Sequence, residues 1–222
     1  MSDLHLAVGN KAYSSWSLRP WIAMKVNGLA FRETVIPLRE ENTATQIGKF
    51  SPSGKVPALS HGAVTVWESL AILEYLADAF PDKSWWPREA VPRAVARSVA
   101  AEMHGGFTNL RGYMPMNLRK VVAKKTTPEV DGDIARLTAI WRDCRQRFGE
   151  GRGAFLFGAF GNADAMYVPI ATRFKTYSVK IDAVSQAYCD ALLNLPAMKD
   201  WYAAASLESW VVPKYEEAAN TP

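Results

Sequence analysis

Three serines fall within four positions of the stretch AYSSWSLRPW, residues 12–21: Ser14, Ser15 and Ser17, with Tyr13 before the first and Trp16 between the last two. They stand at the head of a helix-like run, SLRPWIAMKVNG. Hydroxyls there, together with the first unpaired helical amides, face a place where negative charge is welcome. A serine nucleophile needs a base oriented by an acid, and of the three histidines only His61, in a turn, has any claim in this half of the chain. Hydrolase chemistry of the Ser-His-Asp kind is therefore set aside. Hydroxyls that donate to another molecule's anion fit better.

Two further stretches carry chemistry. In SGKVPAL, residues 53–59, Pro57 opens a strand after a bond, Val56–Pro57, that is a candidate for the cis form. The Val56 backbone then faces outward to pair with an extended, peptide-like ligand, or Pro57 simply guards a sheet edge. In WESLAILEYL, Glu68 and Ser69 sit where a strand gives way to a helix. Free amides and the Ser69 hydroxyl would hold a ligand carboxylate there while Glu68 meets an ammonium, so an α-amino-acid head group fits; the plain alternative is a capping serine.

The elements that must position these residues alternate over the first 80 positions. LHLAV reads as a buried strand, SLRPWIAMKVNG as a helix capped by Ser17 with Pro20 in its first turn, FRETVIP as a strand, ENTATQIGKF as a short helix or turn, VPALS and AVTVW as strands about a turn at HG, and ESLAILEYLADAF as a helix. The order is βαβαββα. The segment 80–93, FPDKSWWPREAVPR, holds three prolines and dense charge, as a connector does. Beyond it only helical periodicity is found, over about 91–120, 128–149, 163–177, 182–194 and 196–206. These patterns predict a unit over 1–81, a linker over 82–90 and an all-helical unit over 91–222.

The totals narrow the function classes. With 222 residues, 49% hydrophobic and 22% charged, the chain can build full-sized cores. A net charge of +4 without clustering, beyond Arg119, Lys120, Lys124 and Lys125, argues against a dedicated nucleic-acid role. The two cysteines, Cys144 and Cys189, and the three histidines lack metal-ligand spacing, so neither a metal site nor a disulfide framework is expected. Without an apolar run of membrane-spanning length or a leader pattern, a cytoplasmic protein with no membrane partner is expected.

SSWSLR, KVPAL and ESLAILEYL, in this order and ahead of an all-helical half, resemble the cytosolic glutathione transferases over essentially the whole chain. The resemblance implies a thioredoxin-like N-terminal domain that binds glutathione as co-substrate, a helical C-terminal domain that shapes the second-substrate pocket, and a homodimer. The serine stretch is most similar to that of the zeta class, which reads Ser-Ser-Cys-Ser, a large residue and Arg. On that match Ser14 takes the catalytic position, Ser15 its neighbour's and Arg19 that of the helix arginine, while Trp16 stands where the class has cysteine. That departure counts against maleylacetoacetate isomerase activity. Tyr13 offers a competing, tyrosine-type site. The resemblance further implies that Val56, before Pro57, pairs with the cysteinyl part of glutathione, that Glu68 and Ser69 hold its γ-glutamyl end, and that Lys55 reaches its glycyl carboxylate. GNADAMYVPI, residues 161–170, resembles the family's helix-capping motif, with Asp164 as its buried aspartate and Gly161 in place of the hydroxyl residue.

The implied reaction is attack by the glutathione thiolate, stabilised by a serine, on an apolar electrophile, with isomerisation or peroxide reduction as variants. Trp16, Met103, His104, Phe107 and Arg111, the last four on the first C-terminal helix, are expected to line the second pocket, with Arg173 as a further contact. A glutathione-binding protein without turnover, of chaperone-like or regulatory kind, is the rival class. A thiol-disulfide oxidoreductase is excluded because no cysteine lies at the head of the first helix.

Overall fold

A computed structural model of the chain describes residues 3–220. The first two and last two positions of the expected units lie outside the described residues.

A four-stranded mixed sheet forms the first half, in the order β2-β1-β3-β4. β1 (Leu4–Gly9) pairs in parallel with β2 (Arg32–Ile36) and antiparallel with β3 (Ala58–His61), which pairs antiparallel with β4 (Val64–Trp67). The central strand β1 is buried from Leu6 onward, as the apolar run LHLAV requires. Helix α1 (Ser15–Val26) follows β1, the short α2 (Thr43–Gly48) follows β2, and α3 (Ser69–Ala79) follows β4. The order is βαβαββα, the thioredoxin-like arrangement.

The second half is helical: α4 (Ala90–Gly105), α5 (Thr108–Tyr113), α6 (Pro128–Cys144), α7 (Asn162–Thr176), α8 (Ala183–Leu193), α9 (Pro196–Ser206) and α10 (Pro213–Asn220). α7 is its axis and is buried along almost its whole length. It packs on α4 and α8 and reaches across to α1, so one apolar core runs through both halves. The connector is pinned rather than loose. Trp85 is buried, its indole donates to the Phe80 carbonyl at 2.8 Å, and its own carbonyl accepts from the Asn162 amide at 2.7 Å. Asn162 also donates to the Leu73 carbonyl at 3.1 Å, tying the two halves together. A Cβ at Gly161 would stand 2.9 Å from the Trp85 carbonyl oxygen, which accounts for glycine at this helix start. Asp164 closes back on the Gly161 amide at 2.9 Å and accepts from the Leu156 amide and the Tyr188 hydroxyl. Burial nonetheless pushes its carboxyl up to about 6.

Four local readings are corrected. α1 starts at Ser15 with Ser14 in the N-cap position, not Ser17, and no side chain caps it. Pro20 consequently lies beyond the first turn and denies the Trp16 carbonyl its helical donor. The helix expected over 91–120 is two, because Gly105-Gly106 end α4 and Phe107 turns with φ 58°, outside the helical region. The one expected over 128–149 changes to a π-helical turn at Arg145–Gly149. α10 was not foreseen.

Candidate functional site

The loop from β1 to α1 brings the serines to an open cleft of about 440 Å³. Tyr13, Ser14, Ser15 and Trp16 form one wall, Leu38 and Val56 a second, and residues of α5, α7 and α10, with Pro115 and Met116 just after α5, the rest. The loop is held from the far end of the chain. Glu208 accepts from the Lys11 and Ala12 amides at 2.7 and 3.1 Å, and the Tyr13 hydroxyl donates to Glu216 on α10 at 2.7 Å.

The two serines differ in their partners. Ser14 donates to Ser17 Oγ at 2.8 Å, and Ser17 in turn accepts from the Gly9 amide at 3.0 Å. Ser15 accepts from Arg173 Nη2 at 3.4 Å, which leaves its proton free to point elsewhere. Both are buried against the cleft, beside the uncapped N-terminal amides of α1. Tyr13 is committed to Glu216, and burial first, then that carboxylate, push its phenol up to about 12. Such a phenol holds its proton at any working pH.

Across the cleft the Val56–Pro57 peptide is cis, and Val56 lies outside the β3 ladder. Lys55 is exposed and does not line the cleft. Glu68 takes the N-cap position of α3 with φ 67°, its carboxylate exposed and 3.9 Å from His104 Nε2. Ser69 is fully buried, and its hydroxyl has no hydrogen-bond partner. A buried hydroxyl left so is costly, and its position at a helix N-terminus suits an anion.

Of the side chains expected in the second pocket, Trp16 and Arg111 line the cleft, as does Arg173. Met103 and Phe107 do not; both are buried in the apolar core, Met103 on α4, which packs on α7, and Phe107 at the turn into α5. Met114 is likewise core. His104 stands behind Trp16, edge to face at 5.1 Å. Helical spacing alone could not separate a face turned to a cleft from one turned to a neighbouring helix.

Trp16 is instead the centre of a cationic group. Two guanidiniums lie over its indole, Arg19 at 4.2 Å and Arg111 at 4.6 Å from the ring centroid. Arg111 is fixed by donating to the His104 and Gly106 carbonyls at 3.2 and 2.9 Å. Arg173 is fixed by the Met114 and Pro169 carbonyls at 2.8 and 2.9 Å. Arg19 is buried, with no acceptor for Nε or Nη1. Burial, then the neighbouring guanidiniums Arg111 and Arg173, holds Arg19 well below its ordinary basicity, and burial, then Arg111, brings Arg173 to about 10. Lys214 and Tyr215 of α10 also line the cleft and had not been singled out. Their only trace in the sequence was a helix start at Pro213, a proline in the first turn of PKYEEAAN.

Residues 13–79 match the family model for the glutathione S-transferase N-terminal domain. Over 93 residues the chain is 40% identical to glutathione S-transferase T1 of Arabidopsis thaliana, covering 40% of this chain and 37% of that protein. Over 105 residues it is 29% identical to a probable maleylacetoacetate isomerase of Caenorhabditis elegans, covering 47% of this chain and 49% of that one. The chain thus spans half or less of the length of these curated relatives. Among solved structures it resembles a glutathione transferase homolog from Burkholderia with bound glutathione, at 20% identity and a TM-score of 0.69, over 93% of this chain and 99% of that one.

Proposed function

From the premise that this chain carries a glutathione S-transferase N-terminal domain on the glutathione transferase fold, we propose that it binds glutathione in this cleft and uses a serine hydroxyl to hold the sulfur as thiolate for attack on an electrophile. The observation that carries the proposal is the meeting of Ser14, Ser15 and the uncapped start of α1 on one wall, facing Val56. Glutathione would lie extended between them. Its cysteinyl backbone pairs with Val56, its γ-glutamyl carboxylate takes the Ser69 hydroxyl and the first amides of α3, and its ammonium takes Glu68. Lys55, exposed nearby, reaches the glycyl carboxylate.

The energetics are of the right size. A free thiol with a pKa of ~8.5 is only ~3% thiolate at pH 7, and lowering it by ~2 units requires ~2.7 kcal/mol. One hydroxyl hydrogen bond to the anion contributes ~1.5–3 kcal/mol, and a helix N-terminus ~0.3–1 kcal/mol more. No metal is needed for this step. The second substrate enters from the side of α5 and α10, and conjugation, isomerisation and peroxide reduction all begin from the same thiolate. Val64 and Trp67, exposed on the free edge of the sheet, support a homodimer, and the two free, buried cysteines support a reducing cytoplasm.

The test is the thiolate absorbance of bound glutathione titrated against pH in the wild type, Ser14→Ala and Ser15→Ala. The apparent thiol pKa should rise by one to two units in whichever variant has lost the donor. An unchanged titration in both sinks the serine reading. Saturable glutathione binding without turnover of chloro-dinitrobenzene or a hydroperoxide would favour the non-catalytic class.

A further inference from the structure

Glu68 and His104 face each other across the junction of the two halves, the first at the head of α3 and the second in the last turn of α4, which packs beside it. Glu68 holds φ 67°, a conformation that a residue with a Cβ adopts only when its surroundings impose it, and its side chain is 48% exposed. Among the described residues its carboxylate has no hydrogen bond, and the basic group within ion-pair reach is His104, with Nε2 3.9 Å from Oε2.

His104 is far less free. Its carbonyl accepts from Arg111 Nη1 at 3.2 Å, its ring stands edge to face with Trp16 at 5.1 Å, and its Nδ1 is enclosed without a partner. The polar outlet left to the ring is Nε2, toward Glu68. Burial, then the Arg19 charge, holds the imidazole below its ordinary 6.5, with Arg111 adding to the effect and Glu68 opposing it. The ring is therefore neutral at neutral pH. Its surroundings assign the single proton to Nε2, which faces a carboxylate, and not to Nδ1, where a buried N–H would go unpaired. A neutral donor has a particular use here. It can orient the carboxylate and leave the negative charge whole for another cation, whereas a lysine or arginine in the same place would neutralise it. At 3.9 Å the pair is too far apart for a hydrogen bond, and rotation of the exposed Glu68 side chain closes that gap as a ligand arrives.

We propose that His104 is a positioning residue of the glutathione site: its imidazole donates from Nε2 to Glu68 and turns that carboxylate toward the γ-glutamyl ammonium. The inference rests on the reading that glutathione occupies the cleft with its ammonium on Glu68. It moves His104 from the second pocket, where the sequence placed it, to the first-substrate end. The helical half then takes part in recognising the amino group of glutathione without touching it. The rival is a packing role, in which the ring only fills the space behind Trp16.

The experiment measures calorimetric binding of S-methylglutathione, which has no thiol to activate, and of its des-amino counterpart, in which a hydrogen replaces the ammonium. The ratio of the two Kd values reads recognition of the amino group alone. In the wild type it should be about tenfold or more, the size of one charge-assisted contact. In His104→Phe, which keeps a flat ring against Trp16 and loses the donor, the ratio should fall at least about threefold. His104→Leu, without ring or donor, should lose as much. His104→Gln, which restores an N–H donor, should stay within about twofold of the wild type. Glu68→Gln should bring the ratio near one, and adding His104→Phe to it should change nothing further, because His104 acts through that carboxylate. An unchanged ratio in His104→Phe and His104→Leu, an equal fall in His104→Gln, or a further fall in the Glu68→Gln background overturns the proposal while leaving the glutathione reading intact. If the wild type binds neither compound, that reading fails and the proposal with it.

Discussion

Replacing Tyr13 by Phe separates two ways of activating a thiol that lie side by side in this loop. The hydroxyl removed donates to Glu216 Oε1 at 2.7 Å, a charge-assisted bond of ~1.5–3 kcal/mol. Glu216 keeps Asn117 Nδ2 at 2.8 Å and Lys120 Nζ at 3.0 Å, and its side chain retains 20% exposure, so the loss belongs at the lower end, ~1.5 kcal/mol. For a chain of this length that lowers Tm by ~3–6 °C. The thiol of bound glutathione should move by less than ~0.3 units, because a phenol held at about 12 and committed to a carboxylate has no proton to offer the sulfur. A donor of ordinary strength, if removed, would instead raise the thiol pKa by ~1–2 units. Thermal unfolding and thiolate absorbance, measured on the same Tyr13→Phe sample, therefore distinguish the two roles: loss of a latch lowers Tm and spares the thiol, whereas loss of a sulfur donor does the reverse. A rise of one unit or more with an unchanged Tm would refute both the latch on α10 and the serine assignment.

Two other substitutions probe the fold that holds the cleft. Asp164, raised by burial to about 6 from an ordinary 3.8, keeps its proton in the folded chain where the unfolded chain has lost it, so its contribution to stability declines as pH rises from about 4 to 6 and is flat above. The stability difference between wild type and Asp164→Asn, from urea unfolding, should accordingly narrow across that window by an amount on the order of 3 kcal/mol; a widening would contradict the burial-dominated shift. Gly161→Ala drives a methyl against the Trp85 carbonyl and should cost ~1–3 kcal/mol, while Gly132→Ala, exposed inside α6 with open space around it, should gain ~0.5–1 kcal/mol; the two Tm shifts should have opposite signs.

The sheet and its helices were legible because each element has a local signature: the apolar run of β1, the proline that opens the approach to β3, the stripe on α3. Boundaries failed where a local rule met a tertiary demand. Ser17 has the chemistry of a cap, yet its hydroxyl accepts from the Gly9 amide and so is used to close the loop. The Gly105-Gly106 pair was visible, but helical periodicity on both sides hid the break. The serine wall, the cis peptide and the Glu68-Ser69 corner could be read because they lie within 70 residues of one another on adjacent elements. The cationic wall could be read only in part: Arg111 and Arg173 stood out as possible contacts, and nothing local tells that α5 and α7 bring both guanidiniums to one cleft. Met103 and Phe107 fit the same spacing and face the core. Lys214 arrives on a helix whose sequence is mostly polar, so no stripe announced it.

The bonds from Glu208 to the Lys11 and Ala12 amides, and from Tyr13 to Glu216, make the shape of the serine loop a property of residues some two hundred positions away in the chain. During synthesis the loop leaves the ribosome long before its clasp exists. It can take this form only after Glu208–Asn220 has been made and has docked, so a nascent chain with a complete sheet would still lack the shaped serine wall, and single changes near the tail can reshape that wall while leaving every residue of the serine stretch as it is.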